Sequence, residues 1–118
     1  MAPLTRRRAY GDGLSATSLM AEYYRQRAGA GLIVAEGAQP SRVGQGYTDT
    51  PGLHDARQVA SWRPVTDAVH EAGGRIYAQL MHTGRNSHSS PTDHSPPTAL
   101  PRAEGALRRA LGTRIKRA

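Results

Sequence analysis

Two β-type apolar runs alternate with two helical patterns along this chain. Residues 31–37 and 75–82 are the β-prone runs, and the first is continuously apolar at its centre. A continuous apolar run is typical of a strand that is covered on both faces, as in parallel sheets. Residues 17–28 and 55–72 carry apolar side chains at helical spacing. The order strand, helix, strand therefore indicates connections of the parallel β/α type.

Capping residues set the expected ends of the two helices. Ser15 and Thr17 are alternative N-caps for the first helix, and Asp55 suits the second. Glycines follow both patterns and end them. Pro64 falls inside the second pattern, which predicts either two helices or one helix with a kink.

The remaining segments predict one more strand and two loops. Residues 1–5 are short and apolar, so we expect the end of a strand there, and about three parallel strands in all. Residues 38–54 and 83–101 are rich in glycine and proline and read as loops. A loop longer than about 12 residues in a compact domain is usually functional or disordered. Residues 105–118 have helical propensity without a well-formed apolar face.

Gln79 lies inside the apolar run at 75–82, which ends in a polar cluster. An unpaired amide in such a run would cost roughly 1–3 kcal/mol, so something must accept from it and donate to it. Neighbouring backbone is one possible partner. A ligand is the other, since parallel α/β folds build their sites at the C-terminal ends of strands.

Composition narrows the class of protein. The 118 residues are 37% hydrophobic and include no cysteine, which excludes disulfides and thiolate metal sites. The five histidines are scattered without metal-ligand spacing, so no metal site is expected. No apolar run approaches the ~20 residues of a membrane span. The N-terminus lacks the apolar stretch of a secretory signal, and a cytoplasmic location is the expectation.

The net charge of +7 is concentrated at the two ends of the chain. Residues 6–8 are all arginine, and residues 102–118 hold six basic side chains against one glutamate. Residues 9–101 hold seven arginines against eight carboxylates and are nearly neutral. Basic tails bind nucleic acid or anionic surfaces. Without aromatic interleaving or a known module, however, no nucleic-acid partner is expected, and a basic-tailed binder is only an alternative.

Several short motifs occur in one order along residues 2–101. They are APLTR at 2–6, YYRQRA at 23–28, GLIVAEG at 31–37, GY at 46–47, PG at 51–52, VTDAVH at 65–70, QLMHTGR at 79–85 and SPPTALP at 95–101. Each motif alone is weak, whereas the ordered set is specific. In this set the chain resembles the Old Yellow Enzyme family of FMN-dependent NAD(P)H:flavin oxidoreductases and ene-reductases.

The resemblance implies a fold and a chemistry. Family members fold as one TIM (β/α)8 barrel, typically about 250 residues or longer, with FMN across the C-terminal mouth. This chain would be the N-terminal portion of such a barrel, an incomplete one. In the family, NAD(P)H passes a hydride to FMN, and the reduced flavin passes it to an activated alkene or another small-molecule acceptor.

The same resemblance implies which positions touch the flavin. Gln79 would bond the pyrimidine edge, because an amide can donate and accept there. The backbone of Gly37 and Ala38 would approach the ring. Thr5 would hydrogen-bond the carbonyl edge, with an ST-turn as the simpler alternative for its hydroxyl. The first-strand residues placed under the isoalloxazine are Pro3, Leu4 and Thr5.

Two further positions in the QLMHTGR motif bear on the site. Met81 stands where many family members carry tryptophan, which would alter the substrate cavity. His82 has two interpretations: it faces the site, or it is a structural histidine bonded to backbone, which we favour.

The resemblance also has gaps. The family's later histidine pair, its proton-donating tyrosine and its glycine-rich phosphate site have no counterpart after residue 101, so no catalytic residue is assigned. We expect residues 1–101 to be the barrel portion and residues 102–118 to be a basic tail outside the family pattern. Such a chain reads as a frameshifted or shortened product, weak or inactive alone. The alternatives are a non-enzymatic fragment and a subunit that completes a barrel with another chain.

Overall fold

The computed structural model describes residues 1–10 and 13–84. In order, its elements are the helix α1 (Ser18–Arg25), the strand β1 (Ile33–Ala38), the helix α2 (Ala56–Glu71) and the strand β2 (Ile76–Leu80). Short 3-10 turns occupy Ala28–Ala30 and Arg42–Gly44. The predicted alternation of helices and strands is confirmed in this part of the chain. The predicted tail, most of the second loop and the helical propensity at 105–118 lie outside the described residues.

Thr17, and not Ser15, caps α1. The Thr17 hydroxyl oxygen accepts a hydrogen bond from the Met20 N–H at 3.3 Å. The Ser15 hydroxyl oxygen is buried and has no partner among the described residues. The helix ends earlier than the predicted residue 28, because the chain tightens into the 3-10 turn and reverses at Gly31, whose φ of +74° favours glycine.

Asp55 caps α2 as predicted, since its carboxylate accepts from the Gln58 N–H at 2.8 Å. Of the two alternatives for Pro64, the structure has one helix that runs through it. Gly73, with a φ of +79°, ends the helix by a left-handed turn.

The two strands form a parallel pair. A register irregularity lies between Val34 and Gly37. The paired residues are Ile33 with Ile76, Val34 with Tyr77, Gly37 with Gln79, and Ala38 with Leu80.

The predicted first strand is reduced to a single pairing position. The Met1 amino group donates to the Leu32 carbonyl, and the Met1 carbonyl accepts from the Val34 N–H at 3.0 Å. Both bonds place Met1 beside β1. The ladder stops there because Pro3 has no N–H to donate, and Arg7 turns the chain with a φ of +55°. The described residues thus contain two of the three expected strands as regular elements.

Both helices pack on the same side of the sheet and close one core with it. The Tyr24 and Trp62 rings lie 6.4 Å apart between centroids, joining α1 to α2. Ile76 of β2 packs against this core. By contrast, Tyr77 and Leu80 of β2 are 65% and 66% exposed. The buried apolar residues are Ala9, Met20, Tyr24, Ala28, Ile33, Ala35, Ala38, Trp62, Val65 and Val69.

The loop at 38–54 folds back on the end of β1. Gln39 bridges to Gly52, and its side-chain amide donates to the Thr50 carbonyl at 2.9 Å. The Trp62 indole N–H donates to the Gly52 carbonyl at 3.2 Å and ties the loop to α2. The loop therefore has a defined conformation above the C-terminal ends of the strands.

Candidate functional site

The C-terminal ends of β1 and β2 bring three of the predicted site residues together. Gly37 pairs with Gln79, and Ala38 pairs with Leu80. The Ala38 carbonyl also accepts from the Met81 N–H at 3.0 Å, so the pairing continues beyond the last residue of β2. These bonds hold the backbone of Gly37 and Ala38 beside Gln79.

Gln79 lies on the sheet face that points away from the helices. Ile76 packs against the core, and side chains alternate along a strand, so Tyr77 and Gln79 share the opposite face. Gln79 is half-buried. Within residues 1–10 and 13–84 its amide has no hydrogen-bond partner, so the described backbone does not satisfy it. The described residues thus leave the donor and acceptor of this amide for another partner, such as a ligand.

Gly37 permits a close contact that another residue would block. A Cβ built on Gly37 would lie 2.6 Å from the Met81 Cε and 2.9 Å from its Sδ. The Met81 side chain therefore lies directly over the Gly37 backbone. This contact puts Met81 at the same end of the sheet as the site residues.

Pro3, Leu4 and Thr5 are exposed, and the Thr5 hydroxyl makes no ST-turn bond among the described residues. One contact fixes where this segment ends. The Arg6 backbone N–H donates to the Glu36 carboxylate Oε2 at 3.2 Å. Glu36 precedes Gly37 in β1, so the Thr5–Arg6 peptide lies at the end of the sheet where Gln79 also lies.

Glu36 is a buried carboxylate whose role the sequence reasoning missed. It is 1% exposed, and its Oε1 accepts from the Tyr24 hydroxyl at 3.3 Å. The Tyr24 oxygen in turn accepts from the Glu36 N–H at 2.9 Å. Burial raises the pKa of Glu36, against the opposing effect of the Arg6 N–H and the Tyr24 hydroxyl. A lone carboxylate in an apolar strand was the available signal, because such a group must find partners.

The arginine cluster at 6–8 is tied to α1 and to the loop at 38–54. The Arg6 guanidinium donates to the Tyr23 hydroxyl at 3.1 Å and lies 4.7 Å from the Tyr23 ring centroid. Arg27 lies 3.7 Å from the same centroid. Arg7 donates to the Thr48 carbonyl at 3.2 Å. Arg6 and Arg7 therefore have hydrogen-bond partners within the described part of the chain.

His82 is exposed, and its Nδ1 accepts from the Gly84 N–H at 3.0 Å. Next to it, the Thr83 hydroxyl donates to the Gly44 carbonyl at 3.1 Å. The hydrogen bond from the Gly84 N–H to His82 agrees with the interpretation of His82 as a structural histidine.

A family profile described as NADH:flavin oxidoreductase / NADH oxidase matches residues 1–117. The chain belongs to this family. The match includes residues beyond 101, and the predicted boundary between barrel portion and tail stays a prediction.

Curated relatives of the NADH:flavin oxidoreductase family agree with the profile. The chain is 42% identical to 12-oxophytodienoate reductase 1 of Oryza sativa subsp. japonica over 97 residues, which cover 81% of this chain and 24% of the relative. It is 41% identical to 12-oxophytodienoate reductase 2 of Arabidopsis thaliana over 88 residues, or 74% of this chain and 23% of the relative. The chain thus spans about a quarter of the length of these relatives.

Solved structures of the family give the fold. The old yellow enzyme homologue of Zymomonas mobilis superposes with a TM-score of 0.78 at 50% identity, over 81% of this chain and 27% of that one. Morphinone reductase in complex with tetrahydroNAD superposes with a TM-score of 0.71 at 47% identity, over 75% of this chain and 24% of that one. The fold is therefore the N-terminal portion of an Old Yellow Enzyme TIM barrel, as predicted.

Neither of the helices in the described part of this family member is long and apolar enough to span a bilayer. The cytoplasmic location stays a prediction.

Proposed function

We propose that this chain provides the flavin-binding N-terminal part of an FMN-dependent NAD(P)H oxidoreductase of the Old Yellow Enzyme type. The observation that carries the proposal is the pairing of Gly37 with Gln79 at the C-terminal end of the parallel pair. The tether of Arg6 to Glu36 supports it, because this bond brings Thr5 to the same end. The family match, over residues 1–117, supports the choice of FMN as cofactor.

The residues present fit a planar heteroaromatic ring. The Gln79 amide has a donor and an acceptor without partners in the described residues, and the imide edge of a flavin offers the complementary pair. Gly37 has no side chain, so its backbone and that of Ala38 can approach a ring closely. Exposed Pro3 offers apolar surface beneath it, and the Thr5 hydroxyl can bond a ring carbonyl. Leu4, by contrast, lines a cleft with Tyr23 and Arg27 near the end of α1.

The bound cofactor would supply hydride transfer between NAD(P)H and a small-molecule acceptor such as an activated alkene. The protein's part is to orient the ring and to set its potential through hydrogen bonds. In this proposal Gln79 and Thr5 bind and orient, and Gly37 and Ala38 shape the approach. No residue of the described part is assigned a proton-transfer role.

We further propose that turnover needs family strands other than β1 and β2, in a complementing chain or a longer one. The chain spans about a quarter of its relatives. In the described residues β2 pairs with β1 alone, and its Tyr77 and Leu80 side chains are largely exposed, which supports further family elements packing against β2. The 118-residue chain alone is accordingly expected to bind FMN weakly and to lack full ene-reductase activity.

FMN titration tests the proposal. The purified chain is mixed with FMN, alone and together with a chain that carries the remaining three quarters of the Zymomonas mobilis homologue. We expect weak quenching of flavin fluorescence by the chain alone, and tighter stoichiometric binding with NADPH or NADH oxidation in the mixture. Absence of FMN binding in both samples would refute the flavin site. Tight FMN binding and full turnover with the chain alone would instead refute the need for further strands.

A further inference from the structure

Residues 2–8, the segment that would carry three flavin contacts, have little backbone support of their own. Met1 pairs with β1, and Ala9 donates to the Asp49 carbonyl at 3.1 Å. No backbone-to-backbone hydrogen bond joins residues 2–8 to the described parts of the chain. Something other than a strand ladder must therefore hold Thr5 at the end of the sheet.

The Glu36 carboxylate takes the place of that ladder. Its Oε2 accepts from the Arg6 N–H at 3.2 Å, and its Oε1 accepts from the Tyr24 hydroxyl at 3.3 Å. The Tyr24 oxygen accepts from the Glu36 N–H at 2.9 Å, which closes a ring of bonds between β1 and α1. Tyr24 is itself 1% exposed and packs against Trp62, so this anchor is rigid.

The bond to Arg6 acts on Thr5 through the planar peptide. The Arg6 N–H and the Thr5 carbonyl belong to one peptide plane, so fixing the N–H direction fixes the direction of the Thr5 carbonyl and limits where its Cα can lie. On its other side, Glu36 is followed directly by Gly37, the partner of Gln79. One buried carboxylate therefore links the Thr5–Arg6 peptide to the residue that precedes Gly37.

We infer that Glu36 is a positioning residue that holds the Pro3 to Thr5 segment in register with Gln79 for binding a planar ring. The inference rests on the proposed function for the identity of the ring. It does not rest on that function for the conformation of the segment. The two can be measured separately.

Amide hydrogen exchange by NMR tests the conformational part without any cofactor. In the wild-type chain the Arg6 amide should exchange at least about tenfold more slowly than the Leu4 and Thr5 amides, since its hydrogen bond to the buried Glu36 carboxyl protects it. Equal rates at these three amides would overturn the inference before any variant is made.

Variants at Glu36 extend the test. Glu36→Met keeps the length of the side chain and removes both acceptors, so Arg6 should exchange roughly 10- to 100-fold faster while core amides such as Val69 are unchanged. Glu36→Gln keeps one acceptor and should restore much of the Arg6 protection. Glu22→Met, at an exposed glutamate of α1, is the matched control and should change neither. Equal acceleration at Arg6 and Val69 would show a merely structural residue.

FMN affinity then links the conformation to the site. Glu36→Met should weaken FMN binding by about tenfold or more, and Glu36→Gln should recover part of the loss. Faster exchange of the Arg6 amide in Glu36→Met together with an unchanged FMN affinity would overturn the positioning role. If the wild-type chain binds no FMN while Arg6 protection depends on Glu36, the proposed function fails and the conformational inference stands.

Discussion

Gln79 is the register partner of Gly37, so a side-chain amide lies beside a backbone that has no side chain. The amide has no partner among the described residues, and the atoms nearest to a Cβ built on Gly37 all belong to the Met81 side chain. A flexible methionine end can move aside, whereas backbone cannot. The pair therefore combines a fixed donor and acceptor with room for a ring to approach.

Replacing Gln79 should weaken FMN binding without unfolding the chain. In Gln79→Leu the paired donor and acceptor are lost, which costs about 1–3 kcal/mol and lowers FMN affinity by roughly 5- to 150-fold. Flavin fluorescence titration measures the change. Gln26→Leu, at an exposed glutamine after α1, is the control and should bind FMN like the wild type. Equal affinities for the wild type and Gln79→Leu would remove Gln79 from the site.

A Cβ added at Gly37 and one added at Gly74 should have different effects. At Gly37 the new Cβ would meet the Met81 Cε at 2.6 Å, and that end of the side chain can shift, so we expect less than about 1 kcal/mol of destabilisation. At Gly74 it would meet the Ala28 carbonyl oxygen at 2.8 Å, which is backbone, and about 1–3 kcal/mol is expected. Gly37→Ala should nonetheless weaken FMN binding by about tenfold, because the added methyl group keeps the flavin ring farther from the backbone.

Urea unfolding followed by the fluorescence of Trp62, the single tryptophan, measures both stabilities. FMN titration of the same two samples measures affinity. A Gly37→Ala chain that binds FMN normally would mean that no ring approaches this backbone.

Most of the fold could be predicted because its signals are local. The Asp55 cap lies next to the helix it starts, and the apolar centre of β1 lies within the strand itself. The first strand was predicted to be longer than it is. Its apolar residues suit a strand, whereas Pro3 has no N–H to continue the ladder. Ser15 and Thr17 have the same capping chemistry, so only the backbone at α1 could decide between them.

The site was harder to derive from the residues alone. Gln79 was noticeable as an amide in an apolar strand, but only the family resemblance placed it at one flavin site with Gly37, and their direct pairing appears in the structure. Glu36 stands out in the sequence as a lone carboxylate near the end of an apolar strand, which does not tell where its partners lie. Its partners, Tyr24 and Arg6, are 12 and 30 residues away in sequence, so the ring of hydrogen bonds appears only when three segments pack together. Nonlocal pairing of this kind leaves no periodic signal.

The choice of N-cap gives a prediction about stability. Thr17→Ala removes the acceptor for the Met20 N–H and should lower the free energy of unfolding by about 0.5–2 kcal/mol. Ser15→Ala removes a buried hydroxyl that has no described partner, so it should be neutral or slightly stabilising. Urea unfolding of the two variants compares them directly. The reverse order of stabilities would assign the cap to Ser15.

The raised pKa of Glu36 predicts how stability depends on pH. The usual value is 4.5, and burial holds the proton on the folded carboxyl to higher pH than in the unfolded chain. The stabilising contribution of the protonated group is then fully present below about pH 4.5 and is lost as the pH rises through the raised folded pKa. The Tyr24 hydroxyl and the Arg6 N–H and guanidinium oppose this rise in pKa without reversing it.

Urea unfolding of the wild type and of Glu36→Gln between about pH 2 and pH 8 checks this sign, since a folded pKa that differs from the unfolded one by a single pH unit changes stability by about 1.4 kcal/mol. The free energy of unfolding of the wild type should fall relative to that of Glu36→Gln as the pH rises from 4.5, because the variant has no ionisable side chain at position 36.

Glu22→Gln is the control with the opposite sign. Hydrogen bonds from Arg25 and Gln26 lower the pKa of Glu22 from 4.5 to about 2, so its stabilisation is lost only as the pH falls between those two values. Parallel curves for the wild type and Glu36→Gln above pH 4.5 would show that the buried carboxyl titrates normally.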